Sequence, residues 1–395
     1  MNHEDRSVVR RTIVPHSTTT ALVNPLYASV AFCAEDTDQL HAVYEGRETG
    51  YTYAREAHPN AQVLAEKIAW MEGAETGVIT SSGMAAVSAV LLGLLSKGDH
   101  IVAGNQLYGR SQRLFRHELP RLGFEASLVD ASDIGAVERA IRAETKLIVI
   151  ETVSNPTLRV ADAEAIGHLA EKRGLMVVTD NTFSTPLGFK PLEWKAHIVI
   201  HSVTKLLAGH SDATLGFVGG SQAIMQPVAD AMMTWGFNAS PHDCWLAERG
   251  LNTLEVRFER AQSNAKALCR FLKGLPGVAR VVYPGEEDHP DHHLARRLLE
   301  GRFGNMVCFE LDGGTEEVNT MIRELRGIPY APTLGDVSTT ISHPASSSHR
   351  GLSAGERAEL GISEGFIRLS VGIEDVEILM RDFEQAIRTA TENRG

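Results

Sequence analysis

Asp180 and Lys205 lie just beyond two short apolar runs, 175–179 (LMVVT) and 198–200 (IVI). A carboxylate at the tip of a buried strand lies where ligands bind in open α/β sheets, although the same residue type also caps turns. A lysine just after a buried strand is unusual, because an unpaired ammonium is costly to bury. The alternative is a stem that snorkels to the surface. Together they supply two parts that a pyridine-ring cofactor requires. An imine-forming lysine needs a lowered pKa, and the ring nitrogen needs a carboxylate to keep it protonated. A phosphate on such a cofactor needs donors. Residues 80–85 (TSSGMA) run from an apolar strand into a helix of small residues. The free N–H groups at that helix start can receive a phosphate; a Ser/Gly start also serves as a plain N-cap. Ser202 and Thr204 alternate ahead of Lys205 and could add hydroxyl donors.

These residues need elements to hold them. From about 60 to 220, helical patterns alternate with short strands that are apolar throughout. The spacing predicts helices at 61–71, 83–95, 111–122, 134–142 and 163–173. Strands are predicted at 77–80, 100–104, 128–130, 147–151, 175–179, 197–201 and 215–218. Such alternation indicates a mostly parallel sheet with helices on both faces. A helix at about 252–272 marks a boundary. Beyond it the pattern is α+β, with strands near 278–283, 306–311 and 365–371 and helices near 294–300, 316–325 and 376–390. The expected organisation is an N-terminal arm (1–57), a cofactor-binding α/β domain (58–250) and a smaller C-terminal α+β domain (251–395). The arm looks irregular, and a segment of that length should pack on something, such as another subunit.

The 395 residues exceed one small core, and 43% apolar with 22% charged content is ordinary for a globular chain. A net charge of −12 without a basic run opposes binding to nucleic acid or an anionic membrane. The polar N-terminus is followed by no apolar stretch, so no secretory leader is expected. The longest apolar run, 85–95, is shorter than the roughly 20 residues needed to span a bilayer. Cys33, Cys244, Cys269 and Cys308 show no metal-ligand spacing, and reduced thiols in a cytoplasmic protein are expected. The run 288–293 (DHPDHH) has the residue types of a metal cluster, but a solvated loop opening a helix is the expectation, and no metal site is predicted. The Met232–Met233 pair and the four tryptophans are expected to pack.

Residues 202–212 (SVTKLLAGHSD) resemble the lysine signature of the Cys/Met-metabolism family of enzymes that use pyridoxal 5'-phosphate (PLP). Further similar stretches follow in order: 51–55 (YTYAR), 81–84 (SSGM), 107–109 (LYG), 154–156 (SNP), 180–182 (DNT), 343–346 (HPAS) and 361–375 (GISEGFIRLSVGIED). The similarity covers nearly the whole chain from about residue 20. It implies an aminotransferase-like fold (fold type I) and PLP as cofactor. It further implies that Lys205 carries PLP and moves the Cα proton, and that Asp180 pairs with the ring nitrogen. Tyr108 would stack on the ring and serve as acid or base at the leaving group, and Asn155 would contact the ring hydroxyl. Gly83, Met84, Ser202 and Thr204 would hold the phosphate, with Tyr53 and Arg55 reaching it from a neighbouring subunit. Arg368 would clamp the substrate carboxylate through its bidentate fork. A homo-oligomer, commonly a dimer of dimers, is implied.

The implied chemistry is γ-elimination or γ-replacement on a sulfur amino acid or activated homoserine. The type expected is cystathionine γ-lyase or cystathionine γ-synthase. Methionine γ-lyase or O-acylhomoserine sulfhydrylase is the alternative, and a PLP aminotransferase, a decarboxylase or a silent binding protein stand further off. Two positions depart from the family's patterns. Methionine γ-lyases typically carry Cys where this chain has Arg110. Residues 332–335 (PTLG) match neither the ESLG common in cystathionine γ-enzymes nor the YSWG of β-lyases. Arg110 and Thr333 are therefore the candidate substrate contacts, and Arg110 could equally be a surface or interface residue.

Overall fold

The computed structural model describes residues 18–392, so residues 1–17 of the expected arm lie outside it. Seven strands form the larger sheet: β1 (Thr76–Thr80), β2 (His100–Gly104), β3 (Glu125–Val129), β4 (Thr145–Glu151), β5 (Met176–Asp180), β6 (Ile198–Ser202) and β7 (Gly216–Gly220). Their order is β1-β7-β6-β5-β4-β2-β3. The strands from β2 to β6 pair in parallel, whereas β7 runs antiparallel to both β1 and β6. The reversal has a local cause. Parallel strands need a crossover, usually a helix, and residues 203–215 form only a turn that carries Lys205 before β7 returns. The sheet is mostly parallel, as the alternation predicts, with its apolar strands packed between two layers. Ile148, Ile150 and Val177 face one core, and Leu147, Val149, Val178 and Ile200 face another.

A second sheet follows, with β8 (Val278–Val282), β9 (Met306–Leu311), β10 (Thr340–Ser342) and β11 (Phe366–Ser370) in the order β10-β11-β9-β8, all antiparallel. Phe309 and Phe383 meet edge to face in its core, and Leu268, Met321 and Ile387 pack around them. Helices Leu254–Lys273, Thr315–Glu324 and Val376–Glu392 supply these side chains.

Most predicted elements occur within a few residues. The predicted helix 111–122 is broken: Gly109–Arg113 is α-helical, Leu114–Glu118 is a π turn and Leu119–Leu122 resumes around Pro120. Proline lacks the N–H that an uninterrupted helix needs. Helices Gln222–Trp235 and Pro241–Leu251 and strand β10 were not anticipated. The first contains Pro227 in its interior, and β10 has only three residues, too few for a period to show. Within the described arm, Asp36 caps a short helix, Thr37–Tyr44.

Candidate active site

Asp180 ends β5, and its neighbours across the sheet are Glu151 at the end of β4 and Ile200 in β6. Its Oδ1 accepts the Thr182 N–H at 3.0 Å and the Thr182 hydroxyl at 2.5 Å. Thr182 Oγ1 in turn accepts the Ser202 N–H at 2.8 Å, so one threonine ties the two strand ends together. Burial raises the Asp180 carboxyl above its ordinary value, while the Thr182 hydrogen bonds and the nearby His201 oppose the shift.

Lys205 lies in the turn after β6. Burial, and then the Arg368 charge, lowers its amine to about 8. Its Nζ is 3.4 Å from Thr333 Oγ1. The 332–335 loop reaches it by close backbone approach. Gly335 has φ +79°, and a Cβ there would lie 2.6 Å from Leu206 N and 2.9 Å from the Lys205 carbonyl carbon. Only glycine fits that seat. Arg257 secures the turn from below, donating to the carbonyls of Leu206 at 2.8 Å, Leu207 at 3.2 Å and Gly250 at 2.9 Å.

Arg368, on β11, is buried. Its Nη1 donates to Asn155 Oδ1 at 2.7 Å and its Nη2 to the Thr333 carbonyl at 3.0 Å. Its Nε is buried without a partner, an open donor on a guanidinium. Lys205, Thr333, Arg368 and Asn155 thus form one connected set drawn from both sheets. Tyr108 is exposed over part of its ring, and its N–H donates to Glu151 Oε1 at 2.7 Å. The Asn155 N–H donates to the other oxygen of Glu151 at 3.1 Å. Burial pushes the Glu151 carboxyl well up, and the Asp180 charge adds to it.

Gly83 opens the helix Gly83–Leu94, with Ser82 Oγ accepting the Ala85 N–H at 3.1 Å. A Cβ on Gly83 would meet Ser202 Cβ at 2.9 Å, so the helix start and the end of β6 are adjacent. Met84 Sδ receives the Ser111 hydroxyl at 3.7 Å. The Thr204 hydroxyl is engaged with the backbone of Leu215, accepting its N–H at 2.9 Å and donating to its carbonyl at 3.2 Å.

Tyr53 and Arg55 are not hydrogen-bonded to this set. Arg55 stacks 5.5 Å from the Tyr53 ring centroid. Both line a cavity of about 840 Å³ whose lining includes Ser81, Thr214 and Asp243 but neither Lys205 nor Asp180. Arg110 is exposed at the start of the Gly109–Arg113 helix and forms no ion pair among the described residues. The 288–293 loop opens helix His292–Leu299 but is less solvated than expected. His289 and His292 are buried, Asp291 holds Arg159 at 2.6 Å and Asp288 holds Lys273 at 2.8 Å. Its acids are used as anchors. Among the described residues no cluster of His, Cys, Asp and Glu could hold a metal.

Glu151, Glu72, His201 and Arg257 were not singled out from the sequence. Glu72 and His201 are fully buried and hydrogen-bonded to each other, and Glu72 Oε1 also accepts Asn181 Nδ2 at 2.9 Å. The available signal was an acid at the end of an apolar strand (Glu151) and an acid at the end of a helix that is otherwise buried on that face (Glu72).

The residues present fit a phosphorylated pyridine cofactor. A lysine with a lowered pKa, a carboxylate held by two donors and an open helix N-terminus converge at the carboxyl ends of β5, β6 and β1. A guanidinium with an orphaned buried donor faces the same lysine.

The sequence profile of the Cys/Met metabolism PLP-dependent enzyme family matches residues 6–388. An L-methionine gamma-lyase of Fusobacterium nucleatum subsp. polymorphum is 39% identical over 369 residues, covering 93% of each chain. A cystathionine gamma-lyase of Bacillus subtilis (strain 168) is 40% identical over 343 residues, 87% of this chain and 90% of that one. The crystal structure of cystathionine gamma synthase from Xanthomonas oryzae pv. oryzae, in complex with aminoacrylate and cysteine, superposes with a TM-score of 0.89 at 37% identity, covering 94% of both chains. The chain has the fold type I architecture and belongs to the PLP-dependent enzymes of Cys/Met metabolism.

Proposed function

We propose that this PLP enzyme acts on cystathionine or an activated homoserine, by γ-elimination or γ-replacement, with its site built as follows. The connected set Lys205–Thr333–Arg368–Asn155 carries the reading, because it places a base, a cation and an open donor together. When bound, PLP supplies an electron sink for the pair left at Cα. Lys205 carries the cofactor and takes the Cα proton; burial brings its amine to about 8, within reach of base chemistry near neutral pH. Asp180 holds the ring nitrogen, and its contacts with Thr182 favour the charged carboxylate this requires. The helix start at Gly83 and Met84 takes the phosphate, with Ser202 and Thr204 beside it. Arg368 has spent both terminal nitrogens on Asn155 and Thr333, so its Nε is the donor left for the substrate carboxylate. Tyr108 stacks on the ring and handles the proton at the leaving group, and Asn155 contacts the ring hydroxyl.

Tyr53 and Arg55 serve the site of a neighbouring copy, so the enzyme is a homo-oligomer, a dimer of dimers. They line a cavity whose walls do not include Lys205, which supports this. The arm ends near residue 57 and the α/β domain near 250, since the helix Leu254–Lys273 packs with the second sheet. All four cysteines are free, which supports a cytoplasmic setting. Among the described residues no helix is long and apolar enough to cross a membrane. A second reading, methionine γ-lyase, is favoured by the similarity to the Fusobacterium enzyme.

Borohydride reduction followed by peptide mapping should place phosphopyridoxyl on Lys205; an adduct on another lysine overturns the assignment. Incubation with cystathionine, methionine and O-acylhomoserines, with and without cysteine, should yield a keto acid with ammonia or a new thioether. Amino transfer to an acceptor would instead mark an aminotransferase.

A further inference from the structure

We propose that Glu151 is a positioning residue: its carboxylate ties the loop carrying Tyr108 to the loop carrying Asn155, and so sets the spacing between the ring-stacking side chain and the residue that braces Arg368. Each oxygen takes one backbone N–H, Oε1 from Tyr108 at 2.7 Å and Oε2 from Asn155 at 3.1 Å. Backbone bonds fix the main chain from which both side chains project. The tie continues outward, because Asn155 Oδ1 accepts Arg368 Nη1 at 2.7 Å and the same guanidinium reaches the Thr333 carbonyl at 3.0 Å. One carboxylate is thereby linked to both the ring side and the substrate side of the site.

The choice of residue type is informative. Glu151 neighbours Asp180 in the sheet register, where a second acid is electrostatically unfavourable. A carboxylate is nonetheless suited to the task, because both of its ends accept, and the Tyr108 and Asn155 N–H bonds favour its charged form against burial and the Asp180 charge. A glutamine offers one acceptor and one donor, and its amide hydrogens would oppose one of the two N–H groups. A second bridge joins the same loops away from these two amides. Gln106 Oε1 accepts Thr157 Oγ1 at 2.5 Å and Ser154 Oγ at 3.3 Å. That bridge keeps the loops associated when Glu151 is changed, so Glu151 variants are expected to fold.

The proposal rests on Tyr108 and Asn155 facing the cofactor. Failure of that reading would appear in the wild type, as no adduct on Lys205; failure of this one leaves the adduct in place. The test is hydrogen exchange on the cofactor-free protein, which needs no turnover, paired with kinetics of the holoenzyme. In Glu151→Ala, peptides covering Tyr108 and Asn155 should both exchange roughly tenfold faster or more, while β2 and β4 keep their protection. In Glu151→Gln, one of the two should accelerate. kcat/KM should fall about 10- to 100-fold in Glu151→Ala, and the visible cofactor band should shift as Tyr108 leaves its stacking position. Unchanged exchange at both loops overturns the proposal. So does a loss of activity with exchange unchanged, which would put Glu151 on the reacting atoms. Faster exchange with full activity also overturns it. If the alanine variant fails to fold, the glutamine variant decides by the same criteria.

Discussion

Asp180 and Lys205 sit half-buried at strand ends over a buried hydrogen-bonded bed, whereas Tyr53 and Arg55 sit on a segment that leaves several apolar residues exposed. Around the strand ends, Asn181, His201, Glu72 and Arg257 are hydrogen-bonded with almost no exposure, and the half-buried Thr182 joins Asp180 to Ser202 above them. Along the arm, Leu22, Val23, Leu26, Tyr27 and Val30 are all exposed. One region hides its polar groups within the chain, and the other leaves apolar groups in solvent. The contrast teaches where rigidity is required. In the proposed roles the carboxylate and the lysine hold a fixed relation to one ring, and buried hydrogen bonds in a sheet provide it. In the proposed assembly a group that only neutralises phosphate comes from a second copy, and the exposed apolar surface of the arm is what that copy would bury.

The largest test of the contrast is complementation. Lys205→Ala should lose at least about 10³-fold in turnover, and Arg55→Ala should weaken activity through the phosphate. Mixed under conditions of subunit exchange, the two variants should regain activity, because one hybrid site is intact. Assays of the mixture against each parent check this; no recovery despite proven exchange would mean that all parts serve one chain.

The closed region should fail differently. Glu72→Ala leaves His201 without a hydrogen-bond partner in a fully buried place, and an unsatisfied buried polar group costs about 1–3 kcal/mol. Urea unfolding of the cofactor-free protein should register that loss. An equal substitution on the arm, Leu22→Ala, should leave the unfolding of a single chain almost unchanged, because Leu22 is fully exposed there, and act instead on the association of chains.

Arg110 probes the boundary between the regions. If its exposed guanidinium reads a distal carboxylate, Arg110→Ala should lower kcat/KM for cystathionine roughly 10- to 100-fold and spare methionine. An equal loss for both substrates would make it structural. The smallest effect is in pH. The Lys205 amine is lowered to about 8 by burial, and only the neutral amine attacks an aldehyde. Cofactor uptake by the apoprotein should therefore rise with pH to a midpoint near 8 and level off above it, as followed by the visible absorbance. A midpoint near the ordinary lysine value would show the amine to be solvated.

Much of the site was legible in the chain because PLP chemistry requires rare residue types in rare places. An acid and a lysine beyond buried strands, and a small-residue helix start, stand out against polar loops. The run of apolar strands between helices determined the parallel sheet, and with it the edge where these side chains collect. What the one-dimensional pattern lacked was any sign of which distant groups meet. The pairing of Glu72 with His201 spans 129 positions, and the reach of Arg368 to Asn155 spans 213. The glycine seat of the 332–335 loop on Lys205 likewise depends on two sheets coming together. Periodicity reports which face of an element is buried, but hydrogen-bond partners across a fold are chosen by packing. The sequence by itself therefore determined the cofactor, the sheet and the family's chemistry. Only the tertiary structure decided that Glu151 joins two loops, that Arg257 braces the lysine turn and that Tyr53 and Arg55 line a cavity whose walls do not include Lys205. Each of these is a relation between segments rather than a property of one.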